Sequence, residues 1–207
     1  MSTSVQSRTP DLSRGILPGS WKWGVGISLV LVTGAVLSAT AAPWRVTRGD
    51  VSVKCAMTIG GTFDAKTNAL SGSLSPSAAH APALDGSITV DLRTLDTGIG
   101  LRNEHLKENY LEVDKGEGYD KAVLSDIDLK GVHADSSEGK GSFTGLLTLH
   151  GVKKTVSGPI EVRKTGEGVR VKASFPVHLP EYNIAEPRYL GVGVKDTVQV
   201  DVTFITQ

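Results

Sequence analysis

From Asp50 to the C-terminus, apolar residues recur at every second position, and few patterns restrict a fold so tightly. Val51, Val53, Cys55, Met57 and Ile59 share one parity, and Ile88, Val90 and Leu92 alternate with Thr89, Asp91 and Arg93. Phe143, Gly145, Leu147 and Leu149 oppose Ser142, Thr144, Leu146, Thr148 and His150. Residues 156–162, 169–177 and 198–204 repeat the arrangement, as do Val123, Ser125, Ile127 and Leu129 against Leu124, Asp126, Asp128 and Lys130. Successive side chains of a strand point to opposite faces, so each run predicts a strand with one buried face. With a short strand near residues 70–74, the count comes to about eight. Residues 135–141 and 164–168 are short, polar and glycine-bearing, as antiparallel hairpins require. Residues 75–82, richer in Pro, Ala and His, predict a longer connection. Long alternating strands joined by hairpins point to an all-β protein, either a closed antiparallel barrel or a sandwich.

One segment breaks the pattern. Residues 101–111 lack Gly, Pro and β-branched side chains, and Leu101, Leu106 and Tyr110 approximate helical spacing. Asp96 and Thr97 precede them as turn or capping residues. A short helix across one barrel mouth is the expectation. Nothing indicates a domain break within residues 43–207.

Formal charge over the whole chain is zero. Nucleic-acid binding would need a basic stripe, and none is visible. The distribution of charge is more telling. Residues 1–42 carry Arg8, Arg14 and Lys22 against Asp11, and no charged residue lies between Lys22 and Arg45. A basic flank, the apolar run 25–37 and the small residues Ala39-Thr40-Ala41 describe a secretory signal cut after Ala41 or Ala42. The same span is long enough for an N-terminal hydrophobic helix retained as a membrane anchor, bracketed by Trp21, Trp23 and Trp44. Both alternatives put the domain 43–207 outside the cytoplasmic membrane, in the periplasm or on the membrane's outer face. Cys55 is the one cysteine, so no internal disulfide forms, and its parity marks a small buried hydrophobe.

Several blocks together resemble the YceI-like family of bacterial envelope proteins. They are Gly61-Thr62-Phe63, Asp96-Thr97-Gly98, then Arg102, Asn103, His105 and Leu106, and finally residues 145–154, reading Gly-Leu-Leu-Thr-Leu-His-Gly-Val-Lys-Lys. The resemblance spans roughly Trp44 to the C-terminus. It implies a lipocalin-like barrel that binds a polyisoprenoid or similar lipid. Two features depart from the family pattern. Gly49-Asp50-Val51-Ser52 stands where a His-Ser pair is usual, and Asp120 and Leu124 stand where many members carry Pro and Phe.

An eight-stranded barrel has an interior either filled by its own side chains or just able to hold one slender ligand. The expected inward positions are Val90, Leu92, Leu147, Leu149, Val171, Ala173, Val200 and Val202. These are aliphatic and mostly small, a lining suited to an extended hydrocarbon, though the same residues would also pack on one another. Arg102, His105, His150 and Lys153 are the candidates for a polar head group; each histidine has an alternative role as a brace, His105 for its helix and His150 beside the Gly151 turn. Residues 180–189 carry two tyrosines, Ile184 and Arg188 between prolines, and suit a lid or a contact loop. The five histidines lack metal-ligand spacing, and no nucleophile elbow or phosphate-cradling loop is present. The expectation is therefore a binding protein without catalysis, metal or cofactor. Its partner is an amphiphilic lipid, with a surface-acting interaction module as the alternative. The N-terminal segment touches membrane if uncleaved, and an exposed first or last strand would permit a homodimer.

Overall fold

The computed structural model describes residues 44–78, 80, 82–133, 138–189 and 192–207, all within the compact unit Ala39–Gln207. The expected signal or anchor in residues 1–42 lies outside the described residues, as do residues 135–137 of the first expected hairpin turn and residues 79 and 81 of the 75–82 connection. Among the described residues no helix is long and apolar enough to cross a membrane.

The alternating runs form strands β1 (Trp44–Ala56), β2 (Thr62–Thr67), β3 (Leu70–Pro76), β4 (Ala83–Asp91), β5 (Lys121–Lys130), β6 (Glu138–Leu149), β7 (Val152–Thr165) and β8 (Gly168–His178). A two-stranded ribbon, β9 (Arg188–Tyr189) with β10 (Val192–Gly193), and the final strand β11 (Thr197–Thr206) complete the set. Neighbours pair antiparallel in the order β11-β8-β7-β6-β5-β4-β3-β1, and β11 pairs back onto β1 from Val46↔Thr206 to Lys54↔Gln199. The result is a closed eight-stranded antiparallel barrel. β2 continues the line of β3 along β1, pairing from Val51↔Thr67 to Ala56↔Thr62. Closure uses up the first and last strands as partners for each other. Neither of these two strands offers the free edge that would have permitted two copies to pair through it.

Three local departures from strict alternation shape the interior. β1 begins earlier than its clean alternation suggests, with a register shift between Val46 and Arg48. β5 carries a bulge between Ser125 and Asp128, where Asp126 adopts φ 49°. A bulge adds one residue and turns the following side chains to the other face. Leu124 and Ile127 therefore both face inward, and the expected grouping of Val123 and Ser125 with Ile127 and Leu129 is corrected. Leu92, expected on a strand, lies instead in a 3₁₀ turn over Leu92–Thr94.

The helical segment is bipartite. An α-helix, α1 (Gly100–His105), widens into a π-turn over Leu106–Tyr110. It follows β4 and precedes β5, so it lies at the end of the barrel where β1, β4, β6 and β8 finish. That end is the mouth. Trp44 begins β1 at the opposite, far end.

Candidate ligand-binding cavity

The barrel is hollow behind its mouth. A cavity of about 620 Å³ runs inward from α1 and the segments 184–188 and 192–194, within the ~300–1,000 Å³ usual for small-molecule sites. Its wall is a consequence of alternation with small side chains. Val53, Val90, Ala122, Ala173, Val200 and Val202 all point inward and remain only half-buried, because no side chain opposite fills the space before them. Of the eight positions expected inward, Val90, Leu92, Leu147, Leu149, Ala173, Val200 and Val202 line this cavity. Val171 lines a smaller cavity of about 170 Å³ toward the far end, which Ala173 also borders.

The lining is apolar throughout its depth. Apart from the sulfur atoms of Cys55 and Met57, its polar side chains are Thr97, Arg102, His105, Tyr110 and Arg188, and all five come from segments at the mouth. Burial in the wall is the main cause that pushes the Cys55 thiol up to about 11, with the Asp64 carboxylate adding to it. The thiol stays neutral at ordinary pH and behaves as a hydrophobe.

The mouth is held by an Asp96-centred latch. Backbone Lys66 and Asp96 exchange hydrogen bonds of 2.8 and 2.9 Å, tying the segment to β2. The Asp96 carboxylate accepts from Gly98 N–H at 2.8 Å and from the Asn103 amide at 2.7 Å. The Asn103 carbonyl oxygen accepts from Thr97 N–H and from the Thr97 hydroxyl, each at 2.7 Å. These bonds stand in for the side-chain cap that α1 lacks. The Asn103 amide, then the Gly98 N–H, hold the Asp96 carboxyl below its ordinary range. With α1 so fixed, the Arg102 guanidinium sits 4.2 Å over the Phe63 ring, and Arg102 and His105 border the cavity entrance. Across the entrance, the Tyr110 hydroxyl accepts from Arg188 N–H at 3.1 Å, and the Arg188 guanidinium pairs with Glu186 at 2.6 Å. Ile184, Pro187 and Arg188 line the cavity, so the 180–189 loop roofs one side.

The remaining two head-group candidates sit elsewhere. Lys153 is exposed near the start of β7 and does not border the cavity. His150 and Gly151 have φ of 52° and 74°, forming a two-residue hairpin turn between the paired Leu149 and Val152. The His150 ring is buried, with Nδ1 3.0 Å from the Tyr182 carbonyl oxygen and Nε2 3.0 Å from Glu112 Oε2. The Tyr119 ring meets it edge-on at 4.7 Å. A carbonyl and a carboxylate only accept, so both contacts are met as hydrogen bonds when both ring nitrogens carry protons. His150 thus braces three segments behind the mouth: the 112–119 turn, the β6–β7 hairpin and the 3₁₀ turn Leu179–Tyr182. Among the described residues no group of His, Cys, Asp or Glu is placed to hold a metal ion.

Sequence reasoning missed Leu124, Phe204 and Tyr110 as cavity residues. Tyr110 was visible only as a helical apolar position; Leu124 was hidden by the β5 bulge, while Phe204 ended a recognised alternating strand without being set among the expected inward positions.

A closed antiparallel barrel with an internal apolar cavity and a helix at its mouth defines the lipocalin-like fold class. The YceI-like domain family matches residues 44–205, and the chain belongs to that family. Two solved structures are similar in fold. A polyisoprenoid binding domain from Saccharophagus degradans, implicated in plant cell wall breakdown, superposes with TM-score 0.59 at 15% identity, covering 79% of this chain and 97% of its own. Burkholderia cenocepacia BcnA gives TM-score 0.60 at 20% identity, covering 77% and 96%. Among curated proteins no sequence matches the chain.

Proposed function

We propose that this protein is an exported carrier that sequesters or ferries an isoprenoid-type amphiphile inside its barrel and performs no chemistry on it. The observation that carries the reading is the 620 Å³ cavity, apolar in its depth and polar only at the mouth. That asymmetry matches a hydrocarbon chain with one polar end. At about 30 Å³ per non-hydrogen atom, the volume a water molecule takes in the liquid, the space holds roughly 20 atoms, about four isoprene units. At ~0.3 kcal/mol per atom such a ligand gains ~6 kcal/mol, a Kd on the order of tens of micromolar, and fuller desolvation tightens it further. Arg102 and His105 are the groups that would meet the polar end, Arg102 by charge-assisted hydrogen bonds if that end is a phosphate. The YceI-like membership and the named binding of the Saccharophagus domain support the lipid class.

The basic, apolar and small-residue order of residues 1–42 supports export, to the periplasm or, with the segment retained, to the outer face of the cytoplasmic membrane. N-terminal sequencing of the mature chain separates the two. The carrier reading is tested by extracting the purified protein with organic solvent and weighing the extract by mass spectrometry. A reproducible isoprenoid mass is the expected result. A clean extract, together with no uptake of added retinol, would overturn it in favour of a barrel that acts through its surface loops.

A further inference from the structure

The two cavities are neighbours along the barrel axis, and four side chains line both: Ile88 from β4, Leu124 from β5, Ala173 from β8 and Phe204 from β11. Ile88 and Leu124 are paired neighbours on the adjacent strands β4 and β5, and Ala173 and Phe204 come from the adjacent strands β8 and β11 across the barrel. Beyond them lies the smaller far cavity, bordered by larger residues such as Leu84, Ile127, Leu129 and Phe143. The four side chains thus form a waist.

Two glycines make room for the waist. Gly145 faces inward between Phe143 and Leu147, and a Cβ there would come within 2.9 Å of Leu124 Cδ1. Leu124 therefore leans into the gap that Gly145 leaves. Gly49 is buried on β1 opposite Phe204, and a Cβ there would lie 3.1 Å from Phe204 Cβ and 2.3 Å from Leu70 Cδ2. The β5 bulge completes the arrangement, since it lets Leu124 face inward on the same strand as Ile127. Three separate backbone features place these side chains across the channel.

We infer that the waist of Ile88, Leu124, Ala173 and Phe204 is a stop that measures the length of the bound chain, with the far cavity a small reserve behind it. This rests on the carrier reading and adds the length of ligand the site rewards. The outer chamber accommodates about four isoprene units. The reserve of about 170 Å³ has room for roughly six more atoms, about one unit. Each unit up to the fourth enters apolar space and raises affinity. Further units stay at the mouth in water and add nothing. Opening the waist joins the chambers and lets the chain advance.

The test is a titration of the whole protein with isoprenoid alcohols of three, four, five, six and nine units, each read directly by calorimetry, alongside straight-chain alcohols of matched length. In the native protein affinity should climb more than tenfold from three units to four and then level. In Leu124→Ala the climb should continue by one or two units. Phe204→Leu, an independent opening that keeps a hydrophobic side chain, should extend it by about one, so the inference does not hang on one variant folding. A native affinity that climbs evenly through six units, or a break that stays at four units in both variants, would overturn the waist while leaving the carrier intact. Straight-chain alcohols that bind with a break at the same length, where isoprenoids do not bind, would support the waist and remove the isoprenoid class. No binding by any alcohol would remove the carrier reading and the length stop together.

Discussion

The two ends of this barrel are built from the same strands by the same alternation, yet one is hollow and the other nearly full. Toward the mouth the inward positions include Val53, Val90, Ala122, Val200 and Val202, all half-buried around empty space. Toward the far end the same strands present Leu84, Ile127, Leu129, Phe143 and Phe204, all buried. Phe143 also meets Phe175 edge-on, with centroids 5.6 Å apart. Period, reset in β5 by its bulge, decides which residues face inward; side-chain volume, summed over eight strands at one level, decides whether a space remains. The far end is filled by these larger side chains, whereas at the mouth end the buried Leu147, Leu149, Phe175 and Val198 frame a space that the smaller residues leave open.

If that division holds, the two ends must respond differently to truncation. Phe143→Ala should lower unfolding free energy by ~3–5 kcal/mol, the usual effect of removing a buried aromatic. Val200→Ala, at a wall already facing a void, should cost less than ~1 kcal/mol, because few partner atoms are lost. Urea denaturation of both variants reads the difference directly. Equal losses would mean that the mouth end is packed after all. Enlargement should reverse the ranking for binding. Val90→Phe combined with Val200→Phe fills the outer chamber and should weaken retinol binding at least about 30-fold, roughly 2 kcal/mol, with no loss in thermal midpoint. Retained affinity would place the ligand outside the barrel.

A third contrast concerns two head-group candidates from the family-like blocks, His150 and Arg102. His150→Ala leaves the buried Tyr182 carbonyl and one Glu112 oxygen without their ring partner, and should cost about 2 kcal/mol of stability, as buried unsatisfied polar groups do. It should leave retinol affinity within about twofold, since His150 does not border the cavity. Arg102→Ala should do the opposite for an isoprenoid phosphate, weakening it by about tenfold while leaving stability little changed. Calorimetry and titration on the same two preparations tell bracing from recognition. A His150→Ala protein of native stability that no longer binds would assign the head group to His150.

Much of this division was legible from residue order. The alternating runs give the strands and their inward parity, the lack of Gly and Pro in 101–111 gives the helix at the mouth, and the φ-positive demand of a two-residue hairpin is met where His150-Gly151 interrupts the apolar pattern. What was not legible traces to single backbone torsions and to sums over distant strands. Nothing in Ser125-Asp126 announces the left-handed turn that brings Leu124 and Ile127 to one face. β2 is short and bears Asp64 and Lys66, so its membership in the barrel wall depends on β1 rather than on its own pattern. The cavity itself belongs to no segment. It exists because Val, Ala and Val from separate strands meet at one level, which only the closed register of the barrel determines.

The smallest expected effect lies at the latch and separates a fixed mouth from a gated one. Asp96 is exposed, so its hydrogen bonds compete with water, and their net value is modest. Asp96→Ala should free α1 locally and raise the retinol dissociation rate about threefold at neutral pH, with equilibrium stability almost unchanged. The sign of the pH effect follows from the lowered carboxyl. A group whose folded pKa lies below its ordinary value contributes fully above that ordinary value, ~3.9 for Asp, and loses its contribution as pH falls through the folded value. The ratio of dissociation rates between Asp96→Ala and the native protein should therefore hold constant from pH 7 down to about pH 4 and shrink toward unity below it. Stopped-flow measurement of that ratio is insensitive to other carboxylates, which titrate alike in both proteins. A ratio already falling between pH 7 and 5 would mean that a different group governs the mouth, and a ratio of one throughout would mean that α1 does not gate the cavity.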